Sequence, residues 1–164
     1  MNLPIGEVIS RGVNLKEIDV TRLIIGLFKK KFSGYIVATL EGVKGLEEGV
    51  LIFKGGVLTA AFYEYSLFGI TVFGDSALPH VFNSFAGEYL IGDIVSLSNQ
   101  QADLVTAFHD KAKVEGVVSE KEISRLIPRV FSEKFAQSVL TKVVKSKETK
   151  DDVFKKLGLS KLGA

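Results

Sequence analysis

The sequence predicts an α+β fold. The expected core is a mainly antiparallel sheet of about four to five strands, built on a central Gly-Gly hairpin, covered by helices and followed by a C-terminal helical half. Two observations predict it. Between Phe32 and Tyr65, two β-rich runs flank Gly55-Gly56, and a glycine pair is favoured where a primed hairpin turn needs positive φ at both central residues. Apolar residues at helical spacing recur before that stretch and in several segments after it. With 164 residues and 46% hydrophobic composition, the chain can bury one good core. The expected division is a sheet-and-helix domain over 1–97, a helical extension packed on it over 98–145, and a linker with a short amphipathic tail over 146–164.

In chain order, Ile5 to Ser10 reads as a short strand, with Pro4 tolerated at its start. Asp19 is placed to cap Val20 to Lys30, where Val20, Leu23, Ile24, Leu27 and Phe28 mark one buried helical face. Lys29, Lys30 and Lys31 follow at the end where cations suit the helix dipole. Ser33 to Glu41 is rich in strand-forming residues, and Gly42 to Gly49 reads as a connection. Val50 to Lys54 and Val57 to Tyr65 form the hairpin, the second arm apolar enough to be covered on both faces.

Gly74-Asp75-Ser76 then opens a helix with a stripe at Leu78, Val81, Phe82 and Phe85, stopped by Gly87. Glu88 to Leu97 closes the sheet. Ser98 or Asn99 caps a helix running to Lys111, with Leu104, Val105, Phe108 and Ala112 inward. Ser119 and Glu122 have capping-box spacing for a helix that Pro128 ends or kinks. Phe135, Val139, Leu140 and Val143 mark a further helix.

Composition excludes several chemistries. Without cysteine there is no disulfide, thiolate metal site or thiol nucleophile. No apolar run of about 18 residues and no secretory pattern is present, so a soluble, cytoplasmic protein is expected. The net charge of +2 is uneven: Lys142 to Ala164 carries seven lysines against Glu148, Asp151 and Asp152. A slightly acidic body with a basic tail is not a nucleic-acid footprint.

Titratable residues are sparse where the sheet is richest. Glu47-Glu48 invites a cation, but neighbouring carboxylates seldom reach one ion and no calcium-loop spacing is present. His80 reads as a surface or partly packed histidine. His109, with Asp103 and Asp110, lacks the spacing of a metal site. No catalytic, cofactor-binding or metal-ligating residue is assigned, and no cofactor is expected. Candidate partner-binding residues are Tyr63, Glu64 and Tyr65 at a strand end, with ordinary rim packing as the plainer reading. Val153, Phe154, Leu157 and Leu159 in the tail are the other candidates, to dock either on a partner or back on their own domain.

The order of these signals resembles the PATAN-like domain of two-component signalling proteins, and an uncharacterised archaeal family related to it. The resemblance rests on Ser33-Gly34, on Leu51 to Leu58 with Ala60 or Ala61, on Gly74-Asp75-Ser76-Ala77-Leu78, and on Gly87. It implies protein–protein contacts in signalling and carries over no catalytic residue. The leading expectation is therefore a non-catalytic interaction or scaffold module, with a homo-oligomer within its range. A small-molecule or lipid-binding domain with an apolar cavity is the alternative. Below it stands a cryptic hydrolase or metal enzyme drawing on Glu41, Glu64, Asp75, Asp93, His80 and His109, and nucleic-acid binding comes last.

Overall fold

The computed structural model describes residues 2–42, 44–116 and 118–141. By contacts the chain divides into two compact units, Met1–Phe131 and Ser132–Ala164. The first unit is an α+β fold with a single six-stranded antiparallel sheet. Its strands are β1 (Glu7–Asn14), β2 (Gly34–Gly42), β3 (Gly45–Lys54), β4 (Val57–Tyr65), β5 (Ile70–Phe73) and β6 (Leu90–Ser96), in the spatial order β1-β6-β2-β3-β4-β5. Its helices are α1 (Val20–Lys29), α2 (Leu78–Ser84), α3 (Asn99–Phe108) and α4 (Glu120–Leu126).

The expected hairpin forms around Gly55 and Gly56, whose φ values of 58° and 80° are the positive pair of a type I′ turn. The turn is docked as well as twisted. Gly55 N–H donates to Ser33 Oγ at 2.8 Å, and Gly56 N–H donates to the Phe32 carbonyl at 2.8 Å. Beyond the turn, Thr59 is an extra residue between the pairs Phe53–Leu58 and Ile52–Ala60. The carbonyl of Thr59 accepts from Val114 N–H at 3.0 Å, so the bulge ties the 110–114 segment to the sheet.

Both faces of the sheet are covered. On one, Tyr35, Val50, Ile52, Ala60, Phe62 and Val95 pack with Val105 of α3 and Ala112. On the other, α1 and α2 close over Leu51, Phe53, Ala61 and Tyr63, with the Phe28 and Phe53 rings meeting edge-on at 5.7 Å. The α1 stripe is as expected: Val20, Ile24 and Leu27 are buried, and Asp19 caps the helix by accepting from Arg22 N–H at 2.9 Å.

Three expectations are corrected. The segment read as a connection from Gly42 to Gly49 is mostly strand: β2 runs to Gly42, β3 begins at Gly45, and Gly42 pairs with Gly45. Pairing on both sides of β3 outweighs the poor strand propensity of its glycines and glutamates. The helix expected from Gly74 starts at Leu78 after a short 3-10 turn, and it ends at Ser84, before Gly87. The helix expected to run to Lys111 ends at Phe108; of its expected inward residues Val105 and Ala112 are buried, joined by Ala102, while Leu104 is exposed and Phe108 is 77% exposed. The α3 start is as read, with a capping box in which Gln101 N–H donates to Ser98 Oγ at 3.2 Å. Likewise Ser119 N–H donates to Glu122 Oε2 at 2.7 Å at the head of α4, which ends before Pro128.

In the second unit, residues 133–141 are helical, and Phe135 N–H donates to Ser132 Oγ at 3.3 Å as an N-cap. Ala136 and Leu140 are buried and Phe135 is half-buried. Val143 lies outside the described residues.

Candidate functional site

The three most strongly perturbed titratable groups, Tyr63, Tyr65 and His80, gather in one place, between the β3–β4 pair and α2. Strand alternation builds it. In the β3–β4 register Glu47 stands opposite Tyr65 and Gly49 opposite Tyr63, so the four share one face of the sheet. Gly49 leaves room for the Tyr63 ring, since a Cβ there would lie 3.0 Å from the ring carbon Cδ2. Gly42 does the same for Glu47, because any side chain at position 42 would overlap the carboxylate. The α2 helix supplies His80, Asn83 and Ser84, all buried.

The contacts are short. Tyr63 O–H donates to Glu47 Oε2 at 2.6 Å, and Tyr65 Oη lies 2.6 Å from His80 Nδ1. The Tyr63 ring packs 5.1 Å from that of Tyr65 and 5.6 Å from that of His80. Burial raises the Tyr63 pKa above the usual phenol range, and the hydrogen bond to Glu47 adds to the shift. Burial, then the Glu47 charge, raises that of Tyr65 as well. Burial alone lowers His80 to about 4, so its imidazole is neutral at neutral pH and can accept at Nδ1 from the protonated Tyr65 hydroxyl.

Neutral phenols and a neutral imidazole could shuttle protons only for a substrate that reaches them. A narrow crevice lined by Gly45, Leu46, Leu67 and Phe68 leads to Glu47 and Tyr65, and it has no room for a water molecule. In this closed form the cluster fixes α2 against the sheet through satisfied polar contacts.

A pH dependence follows. Between about 6.5 and about 4, the unfolded chain binds a proton at His80 that the folded chain refuses. Stability therefore falls as pH drops through that window and levels off below it. Allowing for screening by solvent, the loss is roughly 2 kcal/mol. Urea unfolding followed from pH 7 into the acid range is expected to show this slope, and His80→Gln is expected to flatten it. An equal slope in the variant would assign the acid sensitivity to other groups.

The sequence-derived candidates are placed as follows. The expected contact patch at Tyr63, Glu64 and Tyr65 is divided between the two faces: the tyrosines are 1% and 2% exposed, and only Glu64 is partly open. Alternation along β4 is the reason. Tail residues Val153, Phe154, Leu157 and Leu159 lie outside the described residues. His80, expected at or near the surface, is 6% exposed. Glu47 and Glu48 point to opposite faces, and Glu48 pairs with Glu64 across the strands. Partial burial and the Glu64 charge raise the Glu48 pKa.

The other acids serve as ties. Asp75 accepts from Glu115 N–H at 3.1 Å and Gly116 N–H at 3.3 Å, and Asp93 accepts from Gly12 N–H at 2.6 Å. Asp103 pairs with Lys54 at 2.5 Å and Asp110 with Lys113 at 2.6 Å. Glu41 and His109 stand apart from these ties, Glu41 exposed and His109 partly so. Among the described residues no group of three or more His, Asp or Glu could hold a metal ion, and no helix is long and apolar enough to cross a membrane.

What sequence reasoning missed is the Glu47–Tyr63 contact. Running the Gly55-Gly56 register outward brings Glu47 level with the tyrosines, once the extra residue Thr59 is allowed for.

A second kind of surface lies at the opposite end of the sheet. β1 is an edge strand, exposed over most of its length. Ile5 beside it is 93% exposed, Val8 and Ile9 within it are more than half exposed, and the strand holds neither lysine nor proline. Lysine and proline are common guards of a free edge; the guards β1 does carry are the charges of Glu7 and Arg11 and the register shifts at Val8–Ser10 and Ser10–Val13.

Neither a curated protein nor a solved structure matches the chain. The family model described as an uncharacterized protein conserved in archaea, DUF2226, matches residues 1–109, which span β1 through α3. The chain therefore belongs to this archaeal family.

Proposed function

We propose that the chain is a non-catalytic protein–protein interaction or scaffold module whose contact surface is the open edge at β1. One observation carries the reading: an eight-residue edge strand with Val8 and Ile9 exposed and neither lysine nor proline in it. An extended segment can add to such an edge through main-chain hydrogen bonds. The resemblance to PATAN-like domains, carried by the hairpin and the residues around it, would place the module in archaeal signalling or regulation. The closed geometry of the Glu47–Tyr63 and Tyr65–His80 contacts supports a structural part for them.

The small-molecule alternative draws less support. An open groove of about 410 Å³ lies beside Phe73 and Gly74, but its walls include Asp75, Asp110, Lys111 and Glu115, which do not suit a lipid.

The test is association of the wild type and Ile9→Lys, measured by affinity capture and light scattering. Wild type is expected to bind a protein, itself or another, and the variant to lose it with an unchanged melting temperature. Monomers with no stoichiometric partner in both would sink the reading.

A further inference from the structure

The Gly74-Asp75-Ser76 segment stands out in the sequence, and the β1 edge makes no use of it. It follows β5 at the other end of the sheet and, with Phe73, forms one wall of the open groove of about 410 Å³. Asp110, Lys111, Lys113 and Glu115 form the other wall. Main chain locks the two together. Gly74, at φ 62°, rests so close to the second wall that a Cβ would lie 2.5 Å from the Lys113 carbonyl oxygen and 3.1 Å from that of Lys111. The Asp75 carboxylate accepts from the amides of Glu115 and Gly116, and Val114 N–H donates to the Thr59 carbonyl of β4. The groove is therefore a fixed concavity of the size that small ligands occupy.

The charges on its walls narrow the ligand. Asp110 is paired with Lys113, and both Asp75 oxygens are taken by amides. The Lys111 ammonium, the Glu115 carboxylate and the Ser76 hydroxyl have no partner among the described residues. An open cation and an open anion on one wall suit a molecule that carries both signs. A phosphate or other polyanion would meet three carboxylates against two lysines, and a lipid would meet no continuous apolar wall. We infer that the groove binds a free α-amino acid, with its carboxylate on Lys111, its ammonium on Glu115 and its side chain beside the half-buried Phe73 ring. The inference is independent of the reading of β1, since the groove and that strand lie at opposite edges of the sheet.

The test uses the full chain and each of the common L-amino acids at millimolar concentration, read by melting temperature and by amide resonances. At least one is expected to raise the melting temperature, with the first resonance changes at residues 73–76 and 110–116. Its N-acetyl derivative lacks the ammonium and its methyl ester lacks the carboxylate. Each is expected to bind about tenfold more weakly or worse. Lys111→Met and Glu115→Gln are expected to weaken the parent amino acid to the same degree. Both positions are exposed, and circular dichroism checks that the variants fold.

Loss of binding in the derivatives and the variants together supports the assignment. No response to any amino acid overturns it. So does a blocked derivative that binds as well as its parent, a variant that binds as well as the wild type, or resonance changes centred outside the two walls.

Discussion

Tyr63→Phe is expected to destabilise the chain by about 3 kcal/mol, read as a lower midpoint in urea at unchanged slope. The ring fills the same space over Gly49, so packing is conserved and the change isolates one hydroxyl. That hydroxyl is the donor to Glu47 Oε2 at 2.6 Å, and Glu47 is only 4% exposed. A carboxylate deprived of a donor inside the protein cannot recover the lost solvation from water. Combining Tyr63→Phe with Glu47→Gln is expected to cost less than the sum of the two, because each removes the same contact. A cost below about 1 kcal/mol for Tyr63→Phe would show that Glu47 draws its support elsewhere.

Gly56→Ala is expected to cost about 3 kcal/mol or more, whereas Gly55→Ala in the same turn costs about 1 kcal/mol. Both positions have positive φ, so backbone strain alone would make them alike. Their surroundings differ. A Cβ on Gly55 meets nothing within 4 Å, but on Gly56 it would overlap the Phe28 carbonyl oxygen and approach Lys31 Cα to 2.9 Å. The hairpin tip rests on the end of α1, and backbone on both sides leaves no flexible atom to yield. Gly55→Asn is expected to be close to neutral, since asparagine suits the first position of this turn. Equal effects at 55 and 56 would mean that the tip lifts from α1 without cost.

Local signals made part of this architecture legible. The Gly-Gly turn, the Asp19 cap, the α1 stripe and the Ser119–Glu122 spacing each depend on residues a few positions apart. Two of the strand segments that the sequence did not announce depend on neighbours far along the chain. β5 is only Ile70–Phe73, set between short 3-10 turns, and it is recognised by pairing with Phe62 to Tyr65. The first half of β3, Gly45 to Gly49, has little propensity of its own and is held by β2 and β4 together.

The polar cluster was half legible. Tyr63 and Tyr65 share a face by their spacing of two, and the hairpin register adds Glu47. That His80 would close over them depends on how α2 packs on the sheet, and no pattern within Leu78–Ser84 specifies this. Exposure of Phe108 escaped for the same reason, since a stripe gives the periodicity of a helix but not its rotation on the sheet.

The strand order has a consequence for biosynthesis. β1 is made first, yet its partner is the last strand, with Glu7 aligned to Ser96. At roughly 5–20 residues per second, about 90 residues of elongation leave the nascent β1 unpaired for several seconds or more. During that interval both margins of the strand are bare, so newly made chains on one polysome are most prone to entangle before β6 emerges, and a chaperone that shields Val8 and Ile9 would act in that window.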